Sequence, residues 1–290
     1  MPGLLAAVIL LAQATPAAAP GTEVRALTAL FLDDRGREVA DLGPADVALT
    51  ENGVAREIAS FKPDRRPLSV AVIVDSSAAL GSSYRLNVVD AVTGLIARLP
   101  DGTRYALWTT GVRPTKVVEF TEDREAAGKA LRMVAPQGGN CMLDALAEAS
   151  ADLKKLGREG DRTVVIAVTS TGPELSYRDK YRSAEEAEKN AELFLAAQID
   201  ASGEDLDARA NLGYVLDRLA STSGGRHELT LSAMGVDEAL RRTSAALRAG
   251  YRVAYATVPG LKKRKLEFTV ARPKTRVVVP AGSTAQAPQP

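Results

Sequence analysis

The segment from Ser69 to Val74 constrains the fold of this chain more than any other. An unbroken apolar run fills positions 70–74, which is typical of a parallel strand that is buried on both faces. The polar residues Asp75, Ser76 and Ser77 follow directly. In an open α/β sheet, ligands bind beyond the carboxyl ends of the strands. The segment therefore predicts a central parallel strand that ends in a polar loop at the functional edge of a sheet.

Strands alternate with amphipathic helices between residues 67 and 250. Buried strands are predicted at 105–109 and 163–168, and a weaker one at 194–199. In the first helix, one stripe is predicted, formed by Leu86, Val89, Val92 (or Thr93) and Ile96. Such alternation predicts an α/β fold, a doubly wound and mostly parallel sheet with helices on both faces. We assign residues 67–250 to this domain.

Shorter strands flank this domain on both sides. Residues 47–50 read as a strand that ends at Asn52-Gly53, a strong hairpin signal, and residues 56–61 return with apolar residues at alternate positions. Strand-turn-strand patterns reappear after residue 250. We expect the two flanks, 22–64 and 251–280, to pack together as a small β-sandwich-like unit into which the α/β domain is inserted.

The two ends of the chain differ from the rest in composition. An apolar run at 4–11 precedes the small-residue patterns at 12–14 and 17–19; it is shorter than the about 20 residues that span a bilayer. Although it lacks a basic residue at its start, we predict a secretory signal peptide at 1–19. The protein is then exported to the periplasm or the extracellular space, with no membrane-spanning segment in the mature chain. Residues 281–290 read as a disordered tail.

Composition limits the classes of function. Lysine and arginine number 37 against 36 acidic residues, for a net charge of +1, so no electrostatic footprint for nucleic acid is present. The basic cluster at 262–265 is interpreted as a solvated turn between strands. With one cysteine and one histidine, the chain can form no internal disulfide and no multi-cysteine or histidine-rich metal site.

The motifs of common enzymes are missing as well. No glycine-rich dinucleotide fingerprint and no phosphate-loop lysine follows a strand. A hydrolase built on Ser77 or Cys141 would have to use His227, which we interpret as a surface histidine, while Cys141 reads as a small core-like residue. The sequence therefore predicts no catalytic residue, no cofactor and no enzyme activity.

The order of these pieces resembles the von Willebrand factor A domain, and in particular the exported bacterial proteins called VWFA-related. Nearly the whole mature chain takes part in the resemblance. The segments that carry it are 36–42 with 46–53, which look like that family's N-terminal β unit, 138–146, which look like its second loop and following helix, and 219–225 with 247–255, which look like its closing segments. The resemblance implies an exported, non-enzymatic module for protein-protein interaction or adhesion, whose partner is another protein.

The resemblance also implies a metal-ion-dependent adhesion site for Mg²⁺. The family pattern is Asp-x-Ser-x-Ser in the first loop, a threonine in the second and an aspartate in the third. Asp75 and Ser77 match the first loop, but its last serine is replaced by Ala79. The threonine corresponds to Asn140, and the third-loop aspartate to Thr171 or Ser170.

These replacements predict a degenerate site formed by Asp75, Ser77 and Asn140. Ala79 offers no oxygen, and the site keeps one carboxylate where the family has two, so Mg²⁺ binds weakly at best. We expect a metal-independent function. The alternative is a Mg²⁺-dependent adhesion domain with a modified site, completed by Asn140 and a water. Simpler interpretations also stand: Asp75 only caps backbone amides, and Asp144 only complements a helix dipole.

Overall fold

The computed structural model describes residues 23–34, 37–39, 41–201, 206–248, 250–261 and 264–279. The predicted signal peptide at 1–19 and the predicted tail at 281–290 lie outside the described residues. Within the described ranges, no helix combines the length and the apolar character needed to cross a membrane. The predicted domain boundaries stay a prediction.

Thirteen strands and seven α-helices make up the described chain. The strands are β1 (Glu23–Leu32), β2 (Val47–Glu51), β3 (Val54–Arg56), β4 (Ile58–Pro63), β5 (Leu68–Val74), β6 (Arg104–Thr109), β7 (Thr115–Thr121), β8 (Arg162–Ser170), β9 (Leu193–Ile199), β10 (Arg226–Thr230), β11 (Tyr251–Thr257), β12 (Leu266–Val270) and β13 (Arg276–Val278). The helices are α1 (Gly81–Ser83), α2 (Val89–Ala97), α3 (Ala126–Met133), α4 (Met142–Leu156), α5 (Lys180–Asn190), α6 (Leu206–Ser223) and α7 (Val236–Arg248).

The central sheet has six strands in the order β10-β9-β8-β5-β6-β7. All neighbouring pairs are parallel except β6 and β7, which run antiparallel. Every residue of β5 is buried, because helices cover both faces of the sheet and leave no solvated side. The predicted doubly wound, mostly parallel fold is confirmed. The strand predicted to be weaker, β9, is also buried along its whole length.

Two apolar cores lie on opposite faces of this sheet. Helices α2, α3 and α7 pack on one face, and α4, α5 and α6 on the other. In the stripe predicted for the first helix, Val89, Val92 and Ile96 are buried, but Leu86 is exposed. A π-helical turn (Tyr84–Val88) precedes α2; because its turns are wider than those of an α-helix, the periodicity breaks there and Leu86 faces outward.

The flanking strands form two small antiparallel sheets, β13-β1-β11-β4 and β12-β2-β3. Each sheet joins strands from the two flanks, which are far apart in sequence: β1 pairs with β11, and β2 pairs with β12. Phe31 fills the space between the two sheets and makes edge-to-face contacts with Phe61, Tyr251 and Phe268. The expected packing of the two flanks against each other is confirmed.

Two details of the flanks differ from the sequence prediction. The returning segment at 56–61 is not one strand, because the chain leaves β3 at Glu57 and enters the other sheet as β4. In the basic cluster at 262–265, Arg264 is not solvated. Its side chain is 10% exposed and lies 2.8 Å from the fully buried carboxylate of Glu51, so it serves as the counter-charge of a buried acid.

Candidate functional site

Polar side chains gather at the carboxyl ends of three central strands. Asp75 follows β5, Thr110 follows β6, and Ser170 closes β8. The backbone N–H of Asp75 donates to Val168 O (2.7 Å), and that of Thr110 donates to Val74 O (3.2 Å). These bonds continue the parallel ladders by one residue. They fix the backbone of the loops at the edge of the sheet, so the side chains that follow converge.

Asp75 lies at the centre of this group and is fully buried. The N–H of Ser77 donates to its Oδ1 at 2.8 Å. Its Oδ2 accepts from Ser170 twice, from the N–H at 2.9 Å and from Oγ at 2.6 Å. Asn140 Nδ2 donates to the same oxygen at 3.2 Å. Four neutral protein donors therefore hold the one carboxylate.

Asn140 is anchored on three sides. Its Nδ2 also donates to Thr169 Oγ1 at 2.8 Å, its N–H donates to Pro173 O at 2.9 Å, and its carbonyl accepts from Leu175 N at 2.6 Å. The loop that follows β8 therefore runs alongside Asn140. The structure brings together the three predicted site residues, Asp75, Ser77 and Asn140.

Comparison with known proteins identifies the α/β unit. The sequence model of one family, described as von Willebrand factor type A domain, matches residues 70–173. These residues form a von Willebrand factor type A domain. Domains of this family serve in protein-protein interaction and adhesion. Curated protein sequences give no significant match to the chain.

Solved structures share the fold of this von Willebrand factor type A (vWA) domain. A von Willebrand factor type A protein from Catenulispora acidiphila aligns with 12% identity and a TM-score of 0.55, over 90% of this chain and 73% of that one. Proximal thread matrix protein 1 from the mussel byssus, with a zinc-occupied MIDAS motif, aligns with 18% identity and a TM-score of 0.52. That alignment covers 69% of this chain and 49% of the mussel chain.

A third similar structure is the vWF domain of the type V pili tip protein Mfa5 from Porphyromonas gingivalis. It aligns with 11% identity and a TM-score of 0.50, over 63% of this chain and 95% of that one. At such identities the likeness shows the fold alone. The family assignment rests on the sequence match to residues 70–173.

The remaining positions of the vWA metal motif take other contacts. Ala79 lies against Gly172 so closely that a Cβ on residue 172 would be 2.5 Å from the Ala79 Cβ. Thr171 Oγ1 faces away from Asp75, since it donates to Asp200 Oδ1 at 3.2 Å. Of the two residues considered for the third loop, Ser170 is therefore the one at Asp75.

This donor set is a poor fit for Mg²⁺. The ion requires near-octahedral oxygen ligands, usually with carboxylates among them, and the site has a single carboxylate whose Oδ2 already accepts three hydrogen bonds. Nowhere in the described chain do three or more His, Cys, Asp or Glu side chains gather in a way that could hold a metal ion. Two buried oxygens, Ser77 Oγ and Asn140 Oδ1, nevertheless have no hydrogen-bond partner among the described residues.

The loop after β8 closes over the start of α4 through contacts that the sequence analysis missed. Glu174 accepts from Met142 N at 3.1 Å and from Ser176 N at 3.0 Å. In return, Asp144 accepts from Tyr177 N and Arg178 N, both at 3.0 Å. Asp144 therefore holds the loop after β8 in place by hydrogen bonds, in addition to complementing the helix dipole. The two acids that fix this loop, Asp144 and Glu174, are 30 residues apart in the sequence. No local sequence pattern connects them, so the loop could not be predicted.

Burial perturbs two groups beside this loop. It raises the pKa of Glu174 to about 7, although hydrogen bonds from Ser176 and Met142 oppose the rise. It also raises the pKa of Cys141 to about 11, with the charges of Glu174 and Asp144 adding to the effect. Cys141 is 3% exposed, so it is a protonated, core-like thiol and a poor nucleophile.

His227 lies away from both candidate nucleophiles. It is in the edge strand β10, and its ring nitrogens contact Asp217 Oδ1 at 2.7 Å and Gln198 Oε1 at 3.1 Å. The interpretation as a surface histidine is wrong, because the side chain is 9% exposed. The structure does not bring it to Ser77 or to Cys141.

Large apolar side chains stand exposed around this closed site. Val112 is 66% exposed, Leu175 58% and Tyr177 98%. We call these three residues the edge surface. Val112 packs on Gly138 and Leu175 on Gly139, where a Cβ would lie 2.8 Å and 2.2 Å from the respective side chain. The two glycines therefore let the loops after β6 and β8 both pack closely on the loop that precedes α4.

Proposed function

We propose that this chain is a non-enzymatic interaction module that binds a partner protein through the edge surface, without a divalent metal ion. One observation carries the proposal: Val112, Leu175 and Tyr177 are exposed on the loops that follow β6 and β8, beside a carboxylate that accepts four hydrogen bonds from the protein's own donors. In the family's metal motif, the aspartate at this position belongs to the metal site. Here Oδ2 of that carboxylate already accepts three hydrogen bonds from the protein, while the three apolar side chains are exposed.

The composition of the edge surface supports protein binding. A soluble protein exposes single apolar side chains routinely, but neighbouring ones on adjacent loops form a patch of the kind that marks interaction sites. Arg113 and Arg178 are exposed next to these residues. Tyrosine and arginine are enriched among the residues that dominate binding energy at interfaces. Such a patch suits a partner segment with apolar anchors and hydrogen-bond acceptors.

The alternative, a Mg²⁺-dependent adhesion domain, has one observation in its favour. Ser77 Oγ and Asn140 Oδ1 accept no hydrogen bond from any described residue, and both oxygens belong to predicted metal positions. The two functions differ in a measurable way. A metal-dependent domain releases its partner in chelator, whereas the proposed module keeps it.

The experiment uses the full chain as bait for partners from the producing cell, crosslinked and quantified by mass spectrometry. Leu175→Glu places a charge in the edge surface, and Val54→Glu is its matched control on the exposed edge of β3, where Val54 is 55% exposed. We expect a partner that Leu175→Glu loses by about tenfold or more, that Val54→Glu keeps, and that stays bound in chelator. Loss with Val54→Glu alone would instead place the interface on the β unit.

We further propose that the protein is exported and that residues 1–19 are removed. The apolar run followed by small residues supports this. Mass spectrometry of the N-terminal peptide, after cell fractionation, tests it. A mature N-terminus near residue 20 in the periplasmic or extracellular fraction is expected. An intact Met1 on protein that stays in the cytoplasm would contradict export.

A further inference from the structure

Three acceptor oxygens around Asp75 have unused capacity. Ser77 Oγ and Asn140 Oδ1 have no partner within the described ranges, and these residues are 1% and 0% exposed. Asp75 Oδ1 accepts one bond, from Ser77 N, although a carboxylate oxygen can accept two. Buried acceptors without donors are costly. A group that donates hydrogen bonds at this point would therefore stabilise the fold.

The same place carries an uncompensated charge. All four donors to Asp75 are neutral, and no lysine or arginine of the described chain forms an ion pair with it. Nearby, burial raises the pKa of Tyr84 to about 12, and the charge of Asp75 adds to the rise. A buried carboxylate that lacks a counter-charge attracts a cation.

A divalent ion is not the cation that these atoms match. One carboxylate with two neutral oxygens balances a single positive charge, and Mg²⁺ would have to give up several waters for few ligands. Water would satisfy the acceptors but leave the charge. An ammonium group supplies one positive charge together with three or more N–H donors in one compact unit.

We propose that the site formed by Asp75, Ser77 and Asn140 binds a protonated amine. Asp75 Oδ1, Ser77 Oγ and Asn140 Oδ1 each accept one N–H, and the carboxylate balances the charge. The amine is either the free ammonium ion or the side chain of a lysine on the bound partner; the second source rests on the proposed function. Ala78 and Ala79, which are small and exposed, follow Ser77 directly along the chain.

Thermal unfolding of the full chain tests the proposal without a partner. Chloride salts of ammonium, n-butylammonium, tetramethylammonium, sodium and potassium are compared at equal ionic strength. Ammonium is expected to raise the melting temperature by about 2–4 °C over tetramethylammonium, which has no N–H donor. A shift with n-butylammonium as well assigns the site to a lysine side chain, and a shift with ammonium alone assigns it to the free ion.

Two variants make the result specific. Ser77→Ala removes one unpartnered oxygen and no hydrogen bond of its side chain, so it should fold and lose the ammonium shift; Ser82→Ala, at an exposed position, should keep it. The proposal is overturned if ammonium acts no differently from tetramethylammonium, if sodium or potassium gives the same shift, or if the shift survives in Ser77→Ala. None of these outcomes depends on the edge surface, so failure here and failure of the proposed function are separable.

Discussion

At the scale of single residues, the contacts of Asp75 decide how the site works. Ser170 and Asn140 donate to the carboxylate at the positions where the family motif has an aspartate and a threonine. The sequence could predict Asp75, Ser77 and Asn140, because each lies in a loop that the motif marks. It could not choose between Ser170 and Thr171, because neighbouring strand residues face opposite sides and the end of β8 sets which one turns inward.

This geometry predicts that a metal site can be restored at the residue level. In Ala79→Ser/Ser170→Asp, a second carboxylate and a hydroxyl join Asp75. We expect the double variant to be less stable than the parent without metal, through like-charge repulsion, and to gain about 2–4 °C in melting temperature on addition of Mg²⁺. The control is Ala79→Ser/Thr171→Asp, whose new carboxylate faces Asp200 instead. An equal gain in the control would show that Ser170 is not the third-loop position.

Glu174 predicts a pH-dependent stability. Its folded pKa of about 7 lies above the ordinary value of 4.5, so the folded state binds the proton more tightly than the unfolded chain does. Its contribution is therefore complete below about pH 4.5 and is lost as the pH rises towards 7, by about 1–3 kcal/mol. Denaturant unfolding from pH 4.5 to 8 measures it. Glu174→Gln should flatten this slope, whereas Glu185→Gln, at an exposed position of α5, should retain it.

At the scale of elements, most strands and helices were predictable from the hydrophobic periodicity of the sequence. The features that were not predictable have local structural causes. Buried strands such as β5 and β8 were predictable because their apolar runs are continuous. The exposure of Leu86 was not, because a π-helical turn adds a residue without a marked sequence signal. The loop at 174–178 was equally hidden, since its partners on α4 are distant in sequence.

The π-helical turn predicts opposite results for two neighbouring apolar residues. Leu86 is 72% exposed, whereas Val88 is fully buried. Leu86→Ala should change the free energy of unfolding by less than about 0.5 kcal/mol, and Val88→Ala should cost about 1–3 kcal/mol. Urea denaturation of both variants measures the difference. A larger loss in the free energy of unfolding for Leu86→Ala than for Val88→Ala would mean that Leu86 is buried, as simple helical periodicity predicts.

At the scale of the whole molecule, the flanks on either side of the vWA domain are one packed unit. Their packing was predictable from the strand-turn-strand patterns on both sides of the α/β domain. The buried ion pair between Glu51 and Arg264, which links the two flanks, was not predictable. Burial raises the pKa of Glu51, yet hydrogen bonds from Thr257 and Arg264 outweigh it and hold the pKa below its ordinary value. The charge of Glu51 is therefore maintained by residues more than 200 positions later in the chain.

Removing that distant counter-charge should loosen the β unit. Arg264→Ala leaves the buried carboxylate of Glu51 with Arg56 as its remaining ion-pair partner and should cost about 2–4 kcal/mol in the free energy of unfolding. Lys265→Ala is the matched control, because Lys265 is 79% exposed and its side chain pairs with exposed Glu267; it should leave the free energy of unfolding almost unchanged. Chemical denaturation measures both, and equal losses would mean that Arg264 is solvated after all.

Calorimetric titration of the full chain with Mg²⁺ tests the central claim most directly. Because the site has a single carboxylate and its Oδ2 already accepts three hydrogen bonds, we predict no saturable heat with the natural sequence, and the same flat titration with Asp75→Asn. Saturable Mg²⁺ binding that Asp75→Asn abolishes would contradict the claim, and would make this vWA domain a metal-dependent one.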